Sequence, residues 1–495
     1  MLSLVVFLPL AAGLLVLAAP RLRDRAALWG WVAVSAADLG LVIGLWAADR
    51  PGGDFTFQER LPWIPSIGVS YHIGVDGLSL PLVAMTAGLF LACAVYSLRE
   101  TRRVRAYVAL FCLLETVSLG LFTALDLIVF FVYFDLSIVA MYFVIAGWGH
   151  QGASRAALKF FLYTFLGSLA LLLGFIGLFL SAEPRTFDVV ELARQAPLAG
   201  RGLQGGLVLL AVVIGLAVKT PSVPFHTWLP PAHTDAPTAG SAILAGVLLK
   251  MGTYGFVRIA MPMLPDAWRR YAGVIVVVGV VSVLYGALVA LAQRNFKRMV
   301  AYTSVNHMGY ILLAVGAAGL VAGGDAQART LAVTGAVTQM VSHGLITGAL
   351  FLLSGVLYER GRTYDMAAYG GLAAATPVFA GLTGVAAFAS LGIPGFSGFI
   401  AEFQVFTGSL GAAPVATALA LLGILITAAL FLLALQRIFL GPARASLASP
   451  GDVRASELWS IAPLLLVALA IGLFPRMLLD VIEPASRAVI ALVGR

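Results

Sequence analysis

Four lysines stand in a chain of 495 residues: Lys159, Lys219, Lys250 and Lys297. Two of them fall inside apolar runs. Lys219 ends GLVLLAVVIGLAVK, just before the proline-rich PSVPFHTWLPPAHTDAP, and Lys250 ends GSAILAGVLLK. The other basic residues are arginines, mostly in loops. Arginine stays protonated, so it anchors a loop but cannot hand on a proton. A desolvated lysine can lose several pKa units and become a carrier near neutral pH. An ionised group at mid-bilayer costs about 3 kcal/mol on insertion scales, so such residues are paired or face water, and function is the default reading.

The acidic counterparts are Asp135 in VFFVYFDLSIVAMYF, Glu402 in GFIAEFQVF and Glu115 in FCLLETVSLG. Asp76 and Asp126 lie nearer span ends, where capping or interface anchoring explains them as well. A pair between Asp135 and Lys219 would hold the lysine protonated, and separating the two would release its proton. A plain structural ion pair accounts for these two residues but leaves Lys250 and Glu402 without partners. His307 in YTSVNHMGY and His343 in QMVSHGLITGALF sit in apolar spans, and histidine titrates near physiological pH. Either one alone reads as packing; two between the proline breaks read as a relay. Tyr302, Thr303 and Ser304 supply hydroxyls close to the first. His226 and His233 lie near the break after Lys219 and could line an intake, whereas His72 and His150 read as loop residues. Zinc at His226 and His233 lacks an evident third ligand.

These groups must be positioned by membrane helices. The chain is 61% hydrophobic and 11% charged, with mean hydropathy +0.99, against about a quarter charged in soluble domains. Continuous apolar runs give an all-α polytopic membrane protein of about 14 transmembrane helices and exclude an alternating barrel. The segments from Arg50 to Asp76 and from Ala182 to Gly206 are too short for a separate soluble core. Cys93 and Cys112 lie in apolar runs and read as packing residues. No CxxC, Walker loop or strand-linked GxGxxG is present, so the sequence offers no nucleotide, haem or iron–sulfur site. The net charge of +8 is scattered over short loops rather than gathered for nucleic acid. Basic residues concentrate after odd-numbered spans: RLRDR, LRETRRVR, Arg155 with Lys159, RNFKR, ERGR, and Arg444 with Arg454. The positive-inside rule puts those loops in the cytoplasm and both termini outside. The N-terminus reads as a first span with a basic stop rather than a removed signal.

Two spans are broken in corresponding ways. The seventh runs LAVKTPSVPFHTWLP with Lys219; the twelfth runs FASLGIPGFSGFIAEF with Glu402. They are five spans apart, and an odd offset inverts the second copy, which is a transporter signature. The expected organisation is spans 1–3 over residues 1–104, a first five-helix repeat over 105–265, a second inverted repeat over 266–440, and the last span in 441–495. A weaker likeness between ALKFFLYTFLGSL and FKRMVAYTSVNHMGYIL, four spans apart, reads as coincidence.

VKTPSVPFHTWLPPAHTDAPTAGSAILAGVLLK closely resembles the signature of the subunit M family of antiporter-like proteins in respiratory complex I. VDGLSLPLV, AQRNFKRMVAYTSVNHMGY, MVSHGLITGALFLLSGVLYER and LGIPGFSGFIAEF extend the likeness over nearly the whole chain. Glu402, where the related L and N subunits are expected to have lysine, points to M. So do the LPPAHTDAPTAGS wording and a chain that stops soon after its fourteenth span. The resemblance implies a proton-pumping, non-redox subunit of a bacterial inner-membrane NADH–quinone oxidoreductase. Its neighbours would be L-like and N-like subunits, and FMN, iron–sulfur clusters and quinone would lie in partner subunits. Position by position it implies roles for Asp135, Lys219, Lys250, Glu402, His307 and His343. Asp135 departs from the family's FFE pattern, and Pro231 stands where an acidic residue is common. A subunit of an Mrp-type sodium/proton antiporter is the alternative; a scaffold that has lost pumping is a third reading.

Overall fold

The computed structural model describes residues 1–49, 52–321, 325–443 and 451–494. Arg50 and Arg444 lie outside the described residues. The chain runs through α1 (Leu2–Ala18), α2 (Asp24–Ala48), α3 (Leu80–Tyr96), α4 (Val104–Thr123), α5 (Leu127–Trp148) and α6 (Ala153–Ser181). The first broken span is α7a (Gly202–Lys219) with α7b (Leu229–Asp235). There follow α8 (Thr238–Met263), α9 (Pro265–Leu291), α10 (Phe296–Gly319) and α11 (Ala326–Gly361). The second broken span is α12a (Pro377–Ser390) with α12b (Ser397–Leu410), before α13 (Pro414–Phe439), α14 (Ala455–Leu473) and α15 (Arg476–Val493). Among the described residues, eleven helices are long and apolar enough to cross a membrane. With α1, α10 and the two halves of α12, the described residues are consistent with the fourteen spans expected from the sequence.

Burial sorts the helices by polarity. The hydrophobic stretches of α8 and α11 are wholly buried inside the bundle, and α10 is buried along nearly its full length. These three carry Lys250, His307 and His343. Because they do not meet lipid, they tolerate polar residues that a peripheral helix could not. The helices facing lipid show exposed apolar side chains instead, such as Leu166 on α6, Leu203 on α7a and Leu425 on α13. Close approach holds the centre together: Gly309 of α10 packs so tightly on α9 that an added Cβ would strike the Gly279 carbonyl. In α4 to α7a each helix packs on the next, and the same succession recurs in α9 to α12b, five spans on. That is consistent with the repeat read from the sequence.

Three features were not expected. Thr56–Ile64 and Val69–Val75 form an antiparallel hairpin, β1 and β2, in the inter-span segment read only as too short for a soluble core. Gly68, at φ +70°, turns the chain between the strands. Among its described residues, the 441–495 region holds two helices rather than one. The second, α15, lays Leu478, Val481, Ile482, Ala485 and Val489 against the bundle and leaves charged residues outward. His72, read as a loop residue, is buried in β2, where Asp188 holds it.

Asp188 lies outside the spans and ties the hairpin to the short helix Val189–Gln195. Its carboxylate accepts from His72 Nδ1 at 2.8 Å and from the Val190 and Glu191 amides at 3.0 Å, and lies 3.3 Å from the Arg60 guanidinium. Burial alone would raise its pKa. The His72 and Glu191 hydrogen bonds, with the charges of His72 and Arg60, outweigh burial and hold Asp188 below the usual carboxylate range. A carboxylate depressed on folding contributes stability above its unfolded pKa and loses it as pH falls through its folded value. Asp188→Asn should therefore remove about 1–3 kcal/mol at neutral pH and flatten the acid limb of melting temperature against pH. An unchanged acid limb would show that the latch contributes nothing.

Candidate functional site

The first charged group sits where a helix stops. Lys219 is the last residue of α7a, and burial leaves it 1% exposed. The break consumes the helix's free carbonyls in an orderly way. The Ser222 amide donates to the Ala217 carbonyl and Trp228 Nε1 to that of Val218, at 3.2 and 2.9 Å. The Val223 amide donates to Ser282 Oγ on α9 at 3.0 Å. A cation at a helix C-terminus gains from the carbonyl dipoles. The Lys219 ammonium donates to Ser137 Oγ at 2.9 Å and stands 4.7 Å over the Phe134 ring. Asp135 does not pair with it directly: no ion pair joins them among the described residues, although Asp135 acts on Lys219 electrostatically. Ser137 and Phe134 share the α5 face toward Lys219. Asp135 points round the helix toward Ser168 of α6 and is half-buried.

The second group is a connected string. In α8 the turn Leu244–Leu248 is a π-bulge, a wide turn that frees a helical carbonyl. Lys250 Nζ donates to the Ala245 carbonyl at 2.5 Å and to His343 Nδ1 on α11 at 2.6 Å. While Lys250 is an ammonium it only donates, so Nδ1 then accepts and the His343 proton sits on Nε2. His343 Nε2 has no protein partner. The His307 ring lies edge-on to His343, with centroids 5.2 Å apart. Both histidines line a cavity of about 10 Å³ that also touches Gln339, Ser390 and Glu402. That is about the space one water centre needs. Gln339 Oε1 and Ser390 Oγ are, like His343 Nε2, buried without protein partners, so the cavity is lined by groups that would bind such a water.

Glu402 closes the string at the second break. Gly392 and Gly395 take positive φ between α12a and α12b, a backbone path that side chains rarely follow. A Cβ at Gly392 would collide with the Glu402 carboxyl, so the glycine makes room for the acid. Ser342 and Ser397 share a 2.8 Å hydrogen bond that ties α11 to the start of α12b.

Other expected residues lie elsewhere. Thr303 and Ser304 donate to the Val300 carbonyl of their own helix, and neither they nor Tyr302 line the cavity. Glu115 accepts from Ser35 at 2.8 Å across α4 and α2, away from the string, with Asp38 beside it. His226 packs edge-on against Tyr285, and His233 stacks on Phe351, so the two histidines serve different surroundings. Asp126 caps α5, and Asp76 accepts from the Leu78 and Ser79 amides at the start of α3. Sequence reasoning missed Thr220, which follows Lys219, has a buried hydroxyl without a protein partner, and packs against Gly252, two residues past Lys250. It also missed that Lys297 is fully buried. The arginine in GFVRIAM was the available signal for a third omission, the Arg258–Asp76 ion pair at 2.5 Å.

Two broken helices carrying opposite charges, with buried lysine and histidines strung between them, define an antiporter-type membrane bundle. The profile of the family described as "NADH:quinone oxidoreductase/Mrp antiporter, TM" matches residues 124–427. The chain belongs to that family. It is 38% identical to NADH-quinone oxidoreductase subunit M of Rickettsia bellii, over 97% of this chain and 96% of that one. It is also 38% identical to F(420)H(2) dehydrogenase subunit M of Methanosarcina mazei, over 92% of each. Among solved structures it is similar to a chain of respiratory complex I from Thermus thermophilus. There the TM-score is 0.90 and the identity 30%, with both chains fully covered.

Proposed function

We propose that this chain is the M-type proton-translocating membrane subunit of an NADH–quinone oxidoreductase. The observation that carries the reading is the run from Lys250 through His343 and a water-sized polar cavity to Glu402. Each member can hold or pass a proton, and together they reach from one broken helix toward the other. One proton per cycle enters near Lys219, moves past the Thr220 hydroxyl to Lys250, crosses His343 and the cavity with His307 beside it, and leaves by Glu402. Motion in neighbouring subunits shifts Asp135 relative to Lys219 and so changes how firmly the lysine holds its proton. Redox chemistry, with its flavin, iron–sulfur clusters and quinone, lies in partner subunits. The similarity to an F(420)H(2) dehydrogenase subunit fits a proton path that is separable from the electron donor.

The basic loops after odd-numbered spans place those loops in the cytoplasm and both termini outside the bacterial inner membrane. L-like and N-like subunits would flank the chain, and residues 105–265 and 266–440 act as the two inverted repeats. The 38% identity to NADH-quinone oxidoreductase subunit M over nearly the whole of both chains favours this reading over an Mrp antiporter. Lys219→Ala in the intact complex tests it. Quinone-coupled proton translocation should be lost while the complex still assembles, and normal pumping by an assembled variant would remove Lys219 from the route.

A further inference from the structure

Lys297 follows a basic loop, yet it is fully buried. Its ammonium donates to the Ala236 carbonyl at 2.6 Å and stands 5.2 Å over the Tyr364 ring. No carboxylate lies within ion-pair distance of it among the described residues. Asp235 acts on it from further away, with Asp235 Oδ1 accepting from the Gly152 amide at 3.1 Å. Ala236 follows α7b, and three residues earlier on that helix stands His233. His233 is wholly buried, and neither ring nitrogen has a protein partner. Both Lys297 and Lys250 act on it electrostatically. His233 therefore has one lysine toward the basic-loop side and the other in the middle of the bundle. Outward of Lys297, His150 is half-buried and shares a 3.2 Å hydrogen bond between its Nε2 and the Tyr364 hydroxyl.

We propose that Lys297 is an uptake-side proton carrier that feeds Lys250 through His233, on a branch that does not pass Lys219. The inference rests on the proposed proton route and adds a second intake to it, one that bypasses Lys219 as a carrier but is still driven by the Asp135–Lys219 switch. The proton arrives from the basic-loop side by His150 and Tyr364, and the Lys297 amine takes it up. It passes to one nitrogen of His233 while the other nitrogen releases a proton to Lys250; Lys297 returns to the amine, Lys250 gains the proton, and His233 regains its first tautomer by a ring flip before the next transfer. Three helices meet to make the branch: α10 brings Lys297, α7b brings His233 and α8 brings Lys250. The competing role for Lys297 is mechanical. A cation at the C-terminal end of α7b would stabilise that short helix through its carbonyls. Arginine would serve that role equally well, but it cannot release a proton.

The intact complex in sealed membranes separates the two. Redox-driven proton uptake and assembled-complex content are measured for Lys297→Arg, Lys297→Gln, His233→Gln and Lys250→Met. The expected result is that both Lys297 variants and His233→Gln fall well below wild type but stay above Lys250→Met, because intake by Lys219 remains, while the complex assembles. Wild-type uptake by either assembled Lys297 variant overturns the branch and leaves Lys297 a helix cap. Wild-type uptake by Lys250→Met would instead overturn the route on which the branch rests. Glutamine still donates to the Ala236 carbonyl, so it keeps the question answerable should arginine be too bulky for the site.

Discussion

Lys250→Met should stop proton translocation while the chain still folds and assembles. Methionine has nearly the length of lysine and no charge, so it removes a buried ammonium without opening a cavity. Replacing a buried charge by a well-fitting apolar side chain is often neutral or stabilising. The carrier itself disappears. His343 Nδ1 would lose the donor now 2.6 Å away, and the Ala245 carbonyl would lose the ammonium it accepts from. Removing a positioned proton carrier typically costs about 10²–10⁴-fold in rate. Lys250→Arg should fail as well, because a guanidinium keeps its proton. Proton translocation per quinone reduced, in membranes with verified complex content, is the deciding measurement. Arginine working as well as lysine would show that only a fixed charge is needed there, and the relay through His343 would have to be abandoned.

The sequence exposed the parts of this site that break a local rule. A lysine ending an apolar run, a glutamate after Gly-Ile-Pro-Gly and two histidines in apolar spans are each costly in lipid, and each was visible one residue at a time. The span pattern was legible for the same reason, since apolar length is a local property. The joining of these residues was not legible. The Lys250–His343 contact bridges 93 positions, and the π-bulge that frees the Ala245 carbonyl leaves no mark in composition. Asp135 was legible as a buried acid, but its direction was not. Two positions separate it from Ser137, and that turn of the helix decides which of them meets Lys219. Lys297 was misread because RNFKR looks like a loop anchor, whereas the turn before α10 is folded inward under Tyr364. In the hairpin only β2 alternates polar and apolar residues; β1, TFQERLPWI, does not, and the Asn-Gly or Asp-Gly turn that usually announces a hairpin is missing.

Loss of either partner of the Arg258–Asp76 pair should be the most destabilising single change in the chain. The two side chains are 6% and 3% exposed and lie 182 positions apart. Arg258 stands in the second π-bulge of α8, where its Nε donates to the Tyr254 hydroxyl at 3.0 Å and its guanidinium lies 4.8 Å from the Phe55 ring centre. Asp76 Oδ1 takes the Arg258 Nη2 donor together with the Leu78 and Ser79 amides, so one oxygen both caps α3 and anchors α8. Arg258→Met leaves a carboxylate buried without its cation, and Asp76→Ala leaves a guanidinium buried without its anion. Either should cost about 3–5 kcal/mol. The double variant removes both charges and should cost less than the sum of the singles, because neither ion is then left alone. Melting temperatures of the purified complex for the two singles and the double decide the matter. Strictly additive losses would mean that the pair contributes no coupling and that α3 and α8 are held together by packing alone.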